Sequence, residues 1–386
     1  MKRVSIVILN WNGKKYLKQF LPHLLRHTGL PGAEIVIGDN ASTDGSVTFL
    51  ESEYPEIRLV KLDRNYGYTG GFNRVLRQLD ATYFLLLNSD VEVTEGWLPP
   101  LLELMDKKQK VAVCAPKIRE YHRRSFFEYA GAAGGYIDRY GFPFCRGRIF
   151  DHLEEDRGQY DDPARIFWAS GACFLVRAEL FRAAGGLDER FFAHMEEIDL
   201  CWRLKRMGYE ICYEPRSLVY HVGGGALPQG NPMKTFYNYR NNMLLLYKNL
   251  SPKKRRRIIP VKLLLDMIAA LRFLFMRSPA NFLAVIRAHR AYSRLRREYK
   301  REEETGHRTD YREEEGPGHR TDYREEEGPG PRKGREEAAD TGIYPGSIVM
   351  DYFLKGKKRF EQLSFTTIGW PGRLSAGKEQ NGRENC

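Results

Sequence analysis

The sequence predicts an α/β fold: a sheet flanked on both faces by helices, followed by a C-terminal helical extension. Three observations predict it. Short apolar runs alternate with segments of helical period through the N-terminal part of the chain, which is the signature of βα units. One run, Phe84-Leu85-Leu86-Leu87, is wholly apolar, as in a strand buried on both faces of a parallel sheet, and it stops abruptly in Asn88-Ser89-Asp90. Other runs also end in small polar or glycine-rich turns, so the chain places polar groups along one edge of the sheet.

Residues 4–9 form the first strand, and helical spacing follows over 14–26 with Tyr16, Phe20, Leu21, Leu24 and Leu25 on one face. Residues 34–39 are a second strand ending in Asp39. The turn Asn40-Ala41-Ser42-Thr43-Asp44-Gly45-Ser46 then suits a helix N-cap. Residues 57–62 are the third strand, a loop with Gly67, Gly70 and Gly71 leads into a helix over 72–79, and 83–88 is the fourth strand. A helix from Trp97 and a strand over 111–116 continue the core. Residues 121–162 are rich in glycine, aromatics and charge without a period, and read as an insertion over the site's mouth or as a solvated loop package. Strand character returns over 167–176, a helix opens at Glu196-Glu197, a strand ends at His221, and Tyr237 starts a long helix.

With 386 residues, 42% of them hydrophobic, the chain can build one large or two ordinary domains. Its formal charge of +12 suits nucleic acid, an anionic membrane surface or a phosphate-bearing substrate without choosing among them. The opening residues read as a first strand and not as a signal peptide, which places the catalytic part in the cytoplasm. The six cysteines form no Cys-x-x-Cys pair and read as buried free thiols.

In open α/β sheets ligands lie beyond the carboxyl ends of the strands, where Asp39 and Asp90 emerge. A single carboxylate holds part of the shell of Mg²⁺ or Mn²⁺, the rest coming from water and substrate phosphates. The competing reading is that Asn88-Ser89-Asp90 merely turns the chain.

Together, Val4-Ser5-Ile6-Val7-Ile8-Leu9-Asn10-Trp11-Asn12, Gly38-Asp39-Asn40-Ala41-Ser42-Thr43-Asp44, Asn65-Tyr66-Gly67-Tyr68-Thr69-Gly70-Gly71-Phe72-Asn73 and Leu87-Asn88-Ser89-Asp90 resemble the family-2 glycosyltransferases of GT-A fold, particularly their rhamnosyltransferase-like branch. The resemblance covers about residues 2–300 and implies a Rossmann-like mixed sheet flanked by helices. It also implies that Asp39 contacts the nucleotide base, with Asn10, Asn12, Asn40, Ser42, Asp44, Asn65, Gly67, Gly70, Gly71, Asn73, Asn88 and Ser89 around the nucleotide sugar. Asp90 matches the last acid of the family's metal motif, whose first acid is replaced here by Asn88. Gly171 and Ala172 match a Thr-Gly-Ala-Cys segment in which Ser170 replaces Thr, His221 matches a histidine beside metal and diphosphate, and Arg240 matches an Arg-Asn segment facing the diphosphate. The Glu-Asp motif that supplies the acceptor's base reads Glu196-Glu197 here, so Glu197 takes the base position. Taken alone, two acids in a first helical turn are better explained by the helix dipole and the unsatisfied N–H groups there, and it is the resemblance that reverses this.

Beyond Lys253 the composition shifts. A basic run precedes the apolar stretch 258–276, whose charges Lys262, Asp266 and Arg272, with Arg277, share an arc of roughly 140° and leave a broad apolar face. Spanning is disfavoured, because Asp266 and Arg272 near mid-bilayer would cost about 5–7 kcal/mol. A second basic helix follows over 282–300, and a perfect tandem copy, 306–317 repeated at 318–329, reads as a linker too polar to bury a core. The division is thus 1–235 catalytic, 236–300 helical and membrane-associating, 301–342 repeat linker, and 343–386 a short basic tail that docks back or touches lipid.

The expectation is an inverting glycosyltransferase. It moves a sugar, rhamnose in the branch it resembles, from a nucleotide-diphosphate sugar to a cell-surface saccharide or lipid-linked acceptor, with Mg²⁺ or Mn²⁺. It works at the inner face of the plasma membrane, with an anionic membrane surface and no nucleic acid as partner. Two rivals come from other classes. A dinucleotide oxidoreductase lacks its Gly-x-Gly-x-x-Gly, since Asn10-Trp11-Asn12-Gly13 follows the first strand. A basic nucleic-acid-binding or nucleotide-binding protein without transferase activity would place its basic residues among exposed stacking aromatics. Here they follow Lys253 beside apolar faces.

Overall fold

The computed structural model describes residues 2–223, 230–305 and 342–363. The tandem repeat expected to act as a linker and the tail beyond Leu363 lie outside the described residues.

The first strands are β1 (Lys2–Asn10), β2 (Ala33–Asp39), β3 (Arg58–Lys61) and β4 (Ala81–Asn88), separated by α1 (Lys14–His27), α2 (Ser46–Glu53) and α3 (Gly67–Leu76). β5 (Val91–Val93), α4 (Leu98–Lys107) and β6 (Val111–Glu120) complete the N-terminal half. Then come β7 (Gly135–Asp138), β8 (Pro143–Cys145), β9 (Arg148–Ile149), β10 (His152–Leu153), β11 (Ala164–Ile166), β12 (Cys173–Arg177), α5 (Ala178–Ala183), α6 (Glu196–Arg206) and β13 (Glu210–His221). Three long helices follow, α7 (Pro232–Asn249), α8 (Pro252–Phe275) and α9 (Pro279–Thr305), then β14 (Ile343–Tyr344) and a short helix, α10 (Ile348–Phe353).

The central sheet runs β11-β13-β6-β12-β4-β1-β2-β3, with β5 on β13. It is mixed: β1 pairs parallel with β2 and β4, whereas β12 is antiparallel to both β4 and β6. Ile6, Val7, Phe84, Leu85 and Leu86 are fully buried, since both faces of these strands are covered by helices. The register aligns Asn10 with Asp39 and Leu9 with Asn88, so the polar residues that end β1, β2 and β4 emerge side by side.

The structure differs from the sequence reading in several places. The glycine loop is not a lead-in: Gly67, Gly70 and Gly71 form the first turns of α3. A Cβ at Gly71 would stand 2.6 Å from Leu9 and one at Gly67 2.6 Å from Phe192, so close packing is what demands glycine. Residues 121–162 are not loops alone, since β7 to β10 form a second sheet completed by β14, which pairs parallel with β7. The described part of the tail therefore docks on the protein, with Phe360 against the rings of Tyr136 and Phe144. The five described cysteines are buried free thiols.

Of the charged arc of α8, Lys262 and Asp266 face inward, whereas Arg272 and the following Arg277 are exposed. Lys262 and Asp266 form a buried ion pair, and the ammonium lies over the Phe142 ring. Leu264, Ile268, Leu271 and Phe275 are consequently exposed, Phe275 at 88%. Among the described residues no helix is long and apolar enough to cross a membrane.

Candidate active site

At the ends of β1 and β2 the side chains form a closed polar lattice. Asp39 is buried, accepting Asn10 Nδ2 at 3.0 Å on one oxygen and the Ser42 backbone N–H at 2.8 Å on the other. Asn10 Nδ2 also reaches Ser42 Oγ at 3.1 Å, and the Asn12 N–H donates to that hydroxyl at 3.0 Å. Asn40 donates to Asn65 Oδ1 and to the Gly67 carbonyl, both at 3.0 Å, and accepts the Tyr66 N–H, which fixes the entry to α3. Two residues placed around the nucleotide sugar hold the frame. Asp44 accepts the Lys14 N–H at the start of α1, and Asn73 exchanges hydrogen bonds with the backbone of Leu187.

Past the end of β4, the Asn88 N–H donates to the Ala172 carbonyl at 2.9 Å, joining this edge to the Gly171-Ala172 segment. Ser89 faces the turn after β1, its Oγ 3.1 Å from where a Cβ on Gly13 would lie. Asp90 is buried, with Oδ1 3.1 Å from His221 Nε2. The other ring nitrogen, Nδ1, lies 3.2 Å from Glu128 Oε1, an ion-pair contact without good hydrogen-bond angles. Burial opposes a charge on His221, but Asp90 and Glu128 overcome it and raise the imidazole well above its usual value. Burial likewise works to raise Asp90, yet the charge and hydrogen bond of His221 hold it below its usual value.

The 3.1 Å between Asp90 Oδ1 and His221 Nε2 is a hydrogen-bond distance within an ion pair. Asp90 and a His221 that has given up its Nε2 proton would be the two side chains able to hold a divalent cation here. Among the described residues no three His, Cys, Asp or Glu side chains converge as a cage. Two protein donors leave the remaining positions to water and phosphate oxygens.

The strap before α6 is unusual. Phe192, His194 and Met195 have positive φ of 65°, 70° and 73°, a costly region for residues with a Cβ. Asn241 holds it by donating to the carbonyls of Phe191, Ala193 and His194 at 2.7–2.9 Å. Arg240, expected to face the diphosphate, instead donates from Nη2 to the carbonyls of Arg190 and Phe191 at 3.0 and 2.7 Å. The strap presents Glu196 and Glu197 at the head of α6, each with an outer oxygen, Oε2, buried without a partner. Burial, reinforced by Glu197, pushes Glu196 well up, and burial raises Glu197 to about 7. Below them Asp199 accepts Arg203 Nε, Lys248 Nζ and Asn249 Nδ2 at 2.8–2.9 Å, so α7 fixes the pitch of α6.

Tyr68 links the halves. Its hydroxyl donates to the Gly171 carbonyl at 2.6 Å, and burial, then Glu196 and Glu197, raise its phenol. The structure thus gathers Asn10, Asn12, Asp39, Asn40, Ser42, Asn65 and Gly67 in one lattice, and Asp90 with His221 in another. Glu196 lies about the Gly171 segment, its Oε1 3.9 Å from where a Cβ on Gly171 would stand. Sequence reading missed Glu128, and it gave no role to Tyr68 and Asn241 although both stand in segments that carry the resemblance. The signal for Glu128 was an acid set inside the aromatic run Phe126-Phe127-Glu128-Tyr129.

A mixed α/β sheet whose strand ends carry a polar lattice, an acid–histidine pair and a glutamate raised to about 7 is an arrangement suited to group transfer. Residues 5–184 match Glycosyl transferase family 2, and this stretch of the chain belongs to that family. The chain is 28% identical over 232 residues to the N-acetylglucosaminyl-diphospho-decaprenol L-rhamnosyltransferase of Mycobacterium tuberculosis, covering 56% of this chain and 75% of that protein. It is 28% identical over 254 residues to an O-antigen biosynthesis protein of Myxococcus xanthus, covering 62% of this chain and 19% of that one. Among solved structures, the mannosyltransferase of Pyrobaculum calidifontis in complex with GDP-Man and Mn²⁺ is similar at a TM-score of 0.47 and 14% identity, over 80% of this chain and 82% of that one. The protein is a glycosyltransferase of the hexosyltransferase kind.

Proposed function

We propose that the enzyme inverts configuration as it moves a sugar, rhamnose being the candidate, from a nucleotide-diphosphate sugar to a hydroxyl of a cell-surface saccharide or lipid-linked acceptor. The observation that carries the reading is Glu197: a carboxyl with a pKa of about 7 and a buried, unpartnered oxygen, at the end of a strained strap bound to the glycine turn. A base tuned close to the working pH is what deprotonation of a sugar hydroxyl requires. The similarity to a mycobacterial rhamnosyltransferase with a lipid-linked acceptor supports the acceptor class.

In this reading the Asp39 lattice receives the base, and Asp90 with His221 receives the diphosphate. Glu197 takes the acceptor's proton, and the acceptor oxygen attacks the anomeric carbon from the face opposite the diphosphate. The C–O bond to the diphosphate breaks, and the electron pair leaves with the nucleotide. Bound Mg²⁺ or Mn²⁺ supplies neutralisation of the developing negative charge. Arg240, occupied by carbonyls in this structure, contributes to the donor site by holding the strap.

The enzyme works at the inner face of the plasma membrane as a peripheral protein on anionic lipid. Support comes from α8, whose outward apolar face adjoins exposed Lys253, Arg256, Arg257 and Arg277. Donor hydrolysis and transfer measured across UDP-, dTDP- and GDP-sugars with Mn²⁺ or Mg²⁺ test the reading. Turnover confined to one nucleotide and requiring metal supports it, and turnover of none removes it.

A further inference from the structure

We infer that Glu128 is the positioning residue that fixes the imidazole of His221, and so decides which ring nitrogen faces Asp90 and the donor diphosphate. The inference rests on the metal reading of Asp90 and His221, and adds a residue that belongs to none of the sequence motifs quoted above.

Glu128 is built in, being 3% exposed. Its N–H donates to the Ile118 carbonyl at 3.1 Å, and neighbouring Phe127 bridges Arg119, so β6 holds the backbone. Oε2 accepts the Ala130 N–H at 2.6 Å, which turns Oε1 toward His221 Nδ1 at 3.2 Å. On the other side Gly223 passes close by, with φ +72°, and a Cβ there would stand 3.2 Å from Glu128 Oε1. The ring is thereby held between two carboxylates, Glu128 at Nδ1 and Asp90 at Nε2. Among the described residues Nδ1 makes no well-formed hydrogen bond, and Glu128 Oε1 is the carboxylate oxygen that faces it.

The chemical consequence is a choice of tautomer. A cation beside Asp90 would displace the Nε2 proton of the imidazolium to water, and a carboxylate facing Nδ1 would keep the remaining ring proton on that nitrogen. Outer carboxylates of this kind orient metal-bound histidines, and their loss typically lowers metal affinity about 10–100-fold. Glu128 touches neither donor nor acceptor in this scheme and acts through His221.

The test compares wild type, Glu128→Ala and Glu128→Gln, full length, by two readouts. Mn²⁺ alone is titrated by electron paramagnetic resonance. Separately, ¹⁵N shifts of labelled histidine are recorded in Mg²⁺, with the His221 signal assigned by its loss in His221→Gln. The inference expects Glu128→Ala to weaken Mn²⁺ about 10–100-fold and to move the His221 ring shifts away from the Nδ1–H form. Glu128→Gln, whose amide oxygen can take the place of Oε1 facing Nδ1, should recover most of both at an unchanged melting temperature. Unmoved His221 shifts in Glu128→Ala overturn the inference whether or not Mn²⁺ binds. If wild type binds no Mn²⁺ while the His221 shifts still move, the metal reading falls and the positioning of the ring stands.

Discussion

The carbonyl of Phe192 accepts the backbone N–H of Tyr68 at 2.8 Å, and that of Thr69 at 3.2 Å. The glycine turn that opens α3 and the strap that delivers Glu196 and Glu197 are therefore one unit. Gly67→Ala should damage both ends of it, because its φ is +70° and the new Cβ would meet the Phe192 ring at 2.6 Å. A destabilisation of about 1–3 kcal/mol, with a loss of transfer larger than the loss of fold, is expected. Chemical denaturation beside initial rates checks this, and an unaltered enzyme would mean that the strap yields freely.

Asp90→Asn should weaken Mn²⁺ and metal-dependent donor binding at least about tenfold while the melting temperature changes little. The amide keeps the volume at the strand end and loses the charge that His221 and the cation share. Calorimetric titration of metal and donor distinguishes the two effects. Metal dependence identical to wild type in the folded variant would remove Asp90 from the site.

The rate of transfer should rise with pH through about 7, as Glu197 loses its proton. Stability should move the opposite way. Both glutamates have folded pKa values above their ordinary ones, so their contribution is fully present below the usual carboxyl range. It is lost as pH rises through the folded values, near 7 for Glu197. A single-turnover pH profile recorded beside melting temperatures tests the pairing, and a flat rate profile between pH 6 and 8 would contradict it.

Leu264→Glu combined with Ile268→Glu should cut partitioning to phosphatidylglycerol vesicles by an order of magnitude or more, since each apolar side chain buried in lipid is worth about 1.5–3 kcal/mol. The fold should be unaffected, because both side chains face outward at 62% and 55% exposure. Vesicle sedimentation reads the partitioning. Wild-type protein that ignores anionic vesicles would leave the α8 face to another partner.

Much of this arrangement was legible in the residues. β1, β2 and β4 show as apolar runs because both faces are buried, and their ends show because Asn10, Asp39 and Asn88 interrupt the runs. What escaped depends on contacts far apart in sequence. β14 pairs with β7 through a two-residue strand that has no period to read. Glu128 gains its meaning from His221, a residue on another strand. The amphipathic pattern of α8 was plain, but pattern alone does not say which face turns inward. The Lys262–Asp266 pair, spaced i and i+4, cancels its own charge and packs against Phe142. Glycines in α3 read as a loop, because helix propensity disfavours them where close packing against Leu9 and Phe192 prevails.

The central claim is that Glu197 removes the acceptor's proton, and Glu197→Gln tests it most directly, with Glu196→Gln as control. The amide keeps size and hydrogen bonding but accepts no proton, and a positioned base contributes about 10²–10⁴-fold. Single-turnover transfer, measured beside calorimetric donor affinity, should fall by that factor in Glu197→Gln with donor affinity near wild type, and far less in Glu196→Gln. A Glu197→Gln enzyme with normal single-turnover transfer, or a loss that follows Glu196 instead, would contradict the assignment.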